Sequence, residues 1–141
     1  MAGIPRAGSG KGTPLIDHLG LTVSDFGRSK VFYDAALKPL GMSVVMQVSA
    51  ELTGGSPYVG YGAERPVFWV GANGPASGPM HLAFTAQTRA AVDAFYSAAM
   101  AAGGRDNGAP GVRAHYHSSY YGAFVLDPDG VNVEAVCHAP A

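Results

Sequence analysis

The sequence predicts an α+β fold made of two βαβββ modules in tandem, whose strands form a cup-shaped mixed sheet with the helices on its convex side. Three observations support this prediction. Strand-like and helix-like segments follow one another in the same order twice, the chain aligns with itself without a gap, and polar side chains alternate with the apolar side chains that would face the helices. The 141 residues are enough for one domain without disulfides.

The first module covers residues 14–73 and begins with a strand. Residues 15–23 (LIDHLGLTV) alternate between apolar side chains and small or polar ones. Ser24 is the predicted N-cap of a helix over 25–37, whose apolar residues recur at helical spacing. Short runs rich in valine and aromatic residues then predict three strands, over 42–50, 58–63 and 66–71.

The second module, residues 79–138, repeats this order. Residues 80–86 (MHLAFTA) predict a strand, and Thr88 is the predicted N-cap of a helix over 89–102 that ends at two glycines. The turn sequence LDPDG (126–130) then predicts a hairpin. Its strands are expected over 119–126 and 131–138.

A single shift of the chain along itself, the one that places His18 on His81, brings the two modules into register. Further identical pairs include Leu19 and Leu82, Thr22 and Thr85, Phe32 and Phe95, Tyr33 and Tyr96, Gly41 and Gly104, and Tyr58 and Tyr121. A chance likeness between a strand and a helix would lose its register in the loops. We therefore interpret residues 14–138 as one domain built from two copies of one module.

Composition and charge narrow the classes of partner. The formal net charge is −1, with Lys and Arg scattered singly, so we expect no nucleic-acid partner. No apolar run approaches the roughly 20 residues that span a bilayer, and residues 1–13 resemble a flexible tail rather than a secretory signal. We therefore expect a cytoplasmic protein without membrane association. The single cysteine, Cys137, excludes an intrachain disulfide framework and a Cys-rich zinc site.

Two histidines and one glutamate are the candidates for a metal site. A lone strand histidine is commonly a hydrogen-bonded rim residue, and a glutamate on a last strand commonly faces water. However, His18, His81 and Glu134 each alternate with the apolar residues that would pack on the helices, which places all three on the helix-free face. Two neutral imidazoles and one carboxylate are the ligands of catalytic divalent metals that keep positions open for substrate.

Three stretches carry a family likeness: DHLGLTV in the first strand, MHLAF in the fifth and GAFVLDPDGVNVEAV in the last hairpin. With the paired modules, they resemble the vicinal oxygen chelate superfamily, which includes glyoxalase I, fosfomycin-resistance enzymes, extradiol dioxygenases and bleomycin-binding proteins. The resemblance implies a glyoxalase-like fold over about residues 14–138. It also implies a divalent metal, Zn, Ni, Mn, Co or Fe(II), held by His18, His81 and Glu134, with Glu134 also a catalytic candidate.

The resemblance also bears on the ligand number and on assembly. Glyoxalase I takes a fourth metal ligand from its fourth strand, and at the shift that places His18 on His81 the corresponding position here is Gly71, which has no side chain to offer. The pattern is therefore more similar to the three-ligand fosfomycin-resistance and extradiol types. A chain of this length is similar to the homodimeric members, so the resemblance implies a homodimer.

Aromatic and basic residues are candidates for the rest of the site. The segment HYHSSYY (115–121) is similar to one that borders the active site in many members of the family. Within it, His117 or Tyr121 could relay a proton or orient an anionic oxygen of the substrate. The candidates for substrate contact are Tyr58, Trp69 and Tyr120 as an apolar wall, and Arg113 as a partner for a carboxylate.

We therefore expect a divalent-metal-dependent enzyme that acts on a small substrate with vicinal oxygens. It would be a glyoxalase-like lyase or isomerase, or an O2-dependent extradiol dioxygenase. The alternative is a metal-free protein that sequesters a planar natural product or drug, in the manner of bleomycin-resistance proteins. The three matched ligands favour the enzyme, whereas the missing fourth-strand ligand favours the binding protein.

Overall fold

The computed structural model describes residues 16–72 and 80–141, so the predicted tail over 1–13 lies outside the described residues. The first module contains the following elements: β1 (Leu19–Thr22), α1 (Phe26–Leu37), a 3-10 turn (Lys38–Leu40), β2 (Ser43–Val48), α2 (Ala50–Thr53), β3 (Tyr58–Gly62) and β4 (Phe68–Gly71). The second contains β5 (His81–Thr85), α3 (Arg89–Ala101), β6 (Arg105–Val112), β7 (Tyr121–Leu126) and β8 (Asn132–Cys137).

Each module forms its own four-stranded mixed sheet. The strand orders are β1-β4-β3-β2 and β5-β8-β7-β6, so the two sheets share one topology. In each sheet the first strand pairs in parallel with the last, and the other neighbours are antiparallel. The predicted α+β fold of two βαβββ modules is confirmed, with the short helix α2 as an addition to the first module. None of the described helices has the length and apolar character of a membrane span.

The helix starts follow from capping side chains. Thr88 accepts a hydrogen bond from the Ala91 N–H at 3.0 Å and caps α3, as predicted. The prediction of Ser24 as the cap of α1 is wrong, because Asp25 takes that place and accepts from the Arg28 N–H at 3.0 Å. Aspartate caps a helix as well as serine does. Ser24 instead donates both its backbone N–H and its hydroxyl to Asp129 of the second module.

A continuous hydrophobic core joins the two modules through their helices. Helices α1 and α3 lie against each other, and the large rings of Phe32, Tyr33 and Phe95 are fully buried between the sheets. Gly104, directly before β6, permits this close packing, since a Cβ atom there would lie 2.8 Å from the Phe32 ring. One face of each sheet is therefore covered by a helix. The opposite face, which we call the open face of that sheet, is not covered by any described helix.

The turn between β7 and β8 fastens the second module to the first. The Asp127 carboxylate is fully buried and accepts hydrogen bonds from the Tyr33 hydroxyl at 2.6 Å and from the N–H groups of Asp129 at 2.8 Å and Val131 at 2.9 Å. Burial, together with the neighbouring Asp127 carboxylate, raises the pKa of Tyr33 well above its usual range. A buried carboxylate is stable only where it is paired in this way.

We expect Tyr33→Phe to lower the free energy of unfolding by about 1–3 kcal/mol, because it leaves one buried Asp127 oxygen without a donor. The matched control is Tyr61→Phe, since the Tyr61 ring is equally buried but its hydroxyl bonds the exposed Asp34 at 2.9 Å. That change should cost less than about 1 kcal/mol, because water can replace the lost partner. Urea unfolding of both variants measures the difference, and equal losses would contradict the role given to Asp127.

Candidate functional site

Four side chains form a row across the open face of the second sheet. They come from neighbouring strands in the order β5-β8-β7-β6: His81, Glu134, Phe124 and, directly after β6, Arg113. The pairing of Ala83 with Glu134 and of Glu134 with Phe124 sets their register. The His81 ring is stacked at 6.1 Å from the Phe124 ring, and the Arg113 Cζ lies 5.4 Å from the centre of the same ring.

Glu134 is the buried charged group of this row, with 2% of its surface exposed. Its Oε1 lies 3.0 Å from His81 Nε2, and its Oε2 accepts a hydrogen bond from the Tyr120 hydroxyl. Gly122 provides the room for this carboxylate, because a Cβ atom there would lie 3.1 Å from Oε2. Burying a carboxylate costs free energy, and such groups are concentrated at functional sites.

The hydrogen bonds of His81 identify Nε2 as the nitrogen that could bind a metal. Its Nδ1 lies 3.2 Å from the Asn132 carbonyl oxygen, which can only accept a hydrogen bond, so Nδ1 carries the proton. In the neutral ring, Nε2 then directs a lone pair at Glu134 Oε1, which is also an acceptor. A proton or a cation between the two atoms resolves this conflict. A histidine oriented by a backbone carbonyl is also the usual arrangement at metal sites. The pair formed by His81 Nε2 and Glu134 Oε1 therefore fits a divalent metal.

The third predicted ligand, His18, lies in the other module. It is exposed, directly precedes β1, and its Nδ1 lies 2.8 Å from Asp17 Oδ1, a carboxylate that Arg65 also approaches. This hydrogen bond, and then the Arg65 charge, lower the pKa of Asp17. Within the described part of one chain, no group of three or more His, Cys, Asp or Glu side chains could hold a metal ion. The structure thus brings together two of the three predicted ligands, and His18 remains a prediction.

The open face of the first sheet carries aromatic rings in place of charged groups. Gly20 pairs with Trp69 as Ala83 pairs with Glu134, so Trp69, and not Gly71, is the structural counterpart of Glu134. The shift that relates His18 to His81 is therefore wrong for this strand. The Trp69 ring lies over Gly60, where a Cβ atom would be 3.0 Å away, and the Tyr58 ring covers Gly71 in the same manner. Trp69 offers no metal ligand, which leaves the predicted three-ligand pattern unchanged.

The two adjacent tyrosines of HYHSSYY lie on opposite faces. Tyr121 pairs with Cys137 on the helix-facing side, where its hydroxyl donates to Asp93 at 2.7 Å, so the structure does not bring it to Glu134. Tyr120 contacts Glu134 instead. Burial, and then the hydrogen bond to Glu134, raise the pKa of Tyr120. Counting residues back from the LDPDG turn would have identified Phe124 and Gly122 as the neighbours of the glutamate on this face.

His117 supports Tyr120 rather than contacting Glu134. The Ser119 N–H donates to His117 Nδ1 at 3.0 Å, so the neutral ring carries its proton on Nε2 and donates to His138 Nδ1 at 2.8 Å. Both imidazoles meet the Tyr120 ring edge to face, at 5.5 and 5.4 Å. His117, the predicted proton-relay residue, therefore packs against Tyr120 and does not contact Glu134. His138 packs against Tyr120 beside it.

Known families and structures show the same fold. A family model described as the Glyoxalase/Bleomycin resistance protein/Dioxygenase superfamily matches residues 15–135. A glyoxalase/bleomycin resistance protein from Albidiferax ferrireducens T118 is 30% identical over 89% of this chain and 100% of its own, with a TM-score of 0.69. The sequence matches no curated protein at a significant level.

More distant structures are similar in fold. A glyoxalase-related enzyme from Fulvimarina pelagi is 18% identical over 89% of this chain and 88% of its own, with a TM-score of 0.62. Glyoxalase I from Zea mays is 20% identical over 89% of this chain but 45% of its own, with a TM-score of 0.63. The present chain therefore spans about half of the maize enzyme.

We expect Tyr120→Phe to destabilise the protein by about 1–3 kcal/mol at neutral pH, because Glu134 Oε2 loses its donor. The raised pKa of Tyr120 means that its stabilising effect is present below the pKa of an unfolded tyrosine, about 10, and is lost as the pH rises above that value. The difference in the free energy of unfolding between wild type and Tyr120→Phe should therefore become smaller between about pH 8 and about pH 11. Urea unfolding of both proteins at both pH values measures this difference. The control is Tyr116→Phe, because Tyr116 is 58% exposed. A difference between wild type and Tyr120→Phe that does not change with pH would contradict the expectation.

Proposed function

Because the chain belongs to the Glyoxalase/Bleomycin resistance protein/Dioxygenase superfamily, we propose that it is a divalent-metal-dependent enzyme acting on a small substrate with vicinal oxygens. The reaction would be a glyoxalase-like lyase or isomerase reaction, or an extradiol-type ring cleavage. One observation carries the proposal: Glu134, almost completely buried, directs Oε1 at Nε2 of His81, 3.0 Å away, while the other nitrogen of His81 faces a backbone carbonyl. This pair can hold a cation or share a proton, and the His81 side chain is 48% exposed.

In this proposal His81 Nε2 and Glu134 Oε1 hold the metal, which when bound supplies a Lewis acid for the substrate oxygens. The protein keeps these two atoms in place from behind. The Asn132 carbonyl fixes the His81 tautomer, and the Tyr120 hydroxyl fixes Glu134 Oε2, so that Oε1 remains the available oxygen. Side chains held in this way lose little freedom when a ligand binds.

We further propose a homodimer in which His18 of one copy completes the site on the open face of the other. The support comes from the chain itself, because His18 lies before β1 on the first module while His81 and Glu134 lie on the second, and the two modules are joined through their helices. A second copy can bring the two open faces together. A two-fold axis then creates two equal sites, each shared between copies.

Replacing a ligand should weaken metal binding. We expect His81→Ala, Glu134→Gln and His18→Ala each to lower the affinity for Ni²⁺ or Co²⁺ by at least about tenfold, since losing a ligand costs at least as much as losing its outer partner. The matched control is His115→Ala, because His115 is exposed and its ring packs against Tyr116 at a tilt. Titration calorimetry on metal-stripped protein measures the affinities. An unchanged affinity in Glu134→Gln would overturn the proposal.

The shared site predicts complementation between two defective variants. His18→Ala and Glu134→Gln should each bind little metal alone. After mixing and exchange of subunits, about a quarter of the wild-type sites should be restored, because half of the dimers are mixed and one of their two sites has all three ligands. Sedimentation establishes the dimer, and metal analysis counts the sites. A monomer at tens of micromolar, or no recovery in exchanged dimers, would contradict the shared site.

A second candidate function is sequestration of a planar drug or natural product without metal. It is favoured by the first sheet, where Trp69 stands in the place of Glu134 and the Tyr58 ring lies beside it on the same open face. Screening α-hydroxy thioesters, catechols and planar polycyclic drugs with and without metal separates the two functions. A sequestering protein would lose about 1–3 kcal/mol of affinity in Trp69→Ala and nothing in Glu134→Gln. An enzyme would lose turnover in Glu134→Gln far more than substrate affinity.

A further inference from the structure

Arg113 lies at the end of the row on the second open face, and its guanidinium is hydrogen-bonded to two backbone carbonyls. Its Nη1 donates to the Gly111 carbonyl at 2.9 Å and its Nη2 to the Ala109 carbonyl at 2.8 Å. Two glycines make room for it, because a Cβ atom at Gly108 or Gly111 would lie 3.1 Å from a guanidinium nitrogen. Gly108 also has a φ of +150°, which other residues rarely adopt.

This guanidinium carries an uncompensated charge. Among the described residues, the ion pairs involve Lys30, Arg65, His18 and His81, and no carboxylate lies within ion-pair distance of Arg113. Its two backbone bonds occupy one hydrogen on each terminal nitrogen, so three of its five N–H groups have no described acceptor. A fixed guanidinium with free donors is suited to bind a carboxylate.

The Phe124 ring separates Arg113 from the proposed metal ligands. It is in contact with the guanidinium on one side and with the His81 ring on the other, and it pairs directly with Glu134 on β8. A substrate that spans the row therefore meets a polar end, an apolar ring and a cationic end in that order. Its chemistry has to match this sequence of contacts.

We propose that the substrate is an organic acid in which a short apolar segment separates the vicinal oxygens from a carboxylate, and that Arg113 binds this carboxylate. The inference rests on the proposed function, since it takes the vicinal oxygens to lie at His81 and Glu134. Arg113 is then a specificity-determining residue of the site. It selects the substrate by charge and takes no part in the chemistry at the other end of the row.

Two five-carbon probes test this, 2-oxoglutarate and 2-oxopentanoate. Both carry adjacent chelating oxygens at one end, and only 2-oxoglutarate has a second carboxylate at the other. Calorimetry on Co²⁺-loaded wild type should show at least about tenfold tighter binding of 2-oxoglutarate, as expected for a charged hydrogen-bonded pair. In Arg113→Gln this preference should disappear while the affinity for 2-oxopentanoate stays the same, which also shows that the site remains folded.

The matched control is Arg105→Gln, an exposed arginine at the opposite end of β6 that should keep the full preference. Equal binding of the two probes to wild type, no binding of either at millimolar concentration, or a preference that survives in Arg113→Gln would each overturn the inference. Repeating the series on metal-stripped protein separates the two proposals. Metal binding without the preference refutes only the carboxylate site, whereas an Arg113-dependent preference in a protein that binds no metal refutes only the proposed metalloenzyme.

Discussion

The packing of the two modules and the geometry of the candidate site both depend on the hydrogen bonds of one buried carboxylate, that of Asp127. It binds the Tyr33 hydroxyl of helix α1 and, with its other oxygen, the N–H groups of Asp129 and Val131 in its own turn. The first bond fastens the second module to the first. The others shape the turn that starts β8, and this turn sets the register that pairs Glu134 with Phe124. A distortion of the turn would move the glutamate relative to His81.

The two modules have one topology but use their open faces differently. In the second sheet, the position on the last strand next to Ala83 is Glu134, and small residues around it leave room for polar groups. In the first sheet the same position is Trp69, and its ring fills the space above Gly60. The buried carboxylate of an open face therefore lies on the second sheet. The two modules are equal scaffolds, and different side chains at equivalent positions give their open faces different chemistry.

Much of the fold and part of the site could be predicted from the sequence. Strand alternation predicted the elements and the common face of His81 and Glu134. The gapless alignment of the two modules failed in the last hairpin, because Tyr58 lies opposite Gly71 whereas Tyr121 lies opposite Cys137. Pairing there depends on the length of the turn, which a repeat cannot show. Because the displacement is an odd number of residues, Tyr121 lies on the helix-facing side while its counterpart Tyr58 lies on an open face, and the place of Phe124 could not be predicted. The separation of His18 from the other two candidate ligands follows from the packing of the helices, which strand alternation does not predict.

The two buried acids, Asp127 and Glu134, are compensated in different ways. Asp127 receives three hydrogen bonds from protein groups, which satisfies the charge that burial isolates from water. Glu134 receives one, from Tyr120, while its second oxygen lies 3.0 Å from Nε2 of His81, and the other nitrogen of that ring faces the Asn132 carbonyl. Because both neighbours of the His81 ring can only accept hydrogen bonds, the contact with Glu134 is satisfied either by a second proton on the ring or by a metal ion between the two atoms. One of the two partners of Glu134 can therefore change with proton or metal binding, whereas the three partners of Asp127 are fixed protein groups.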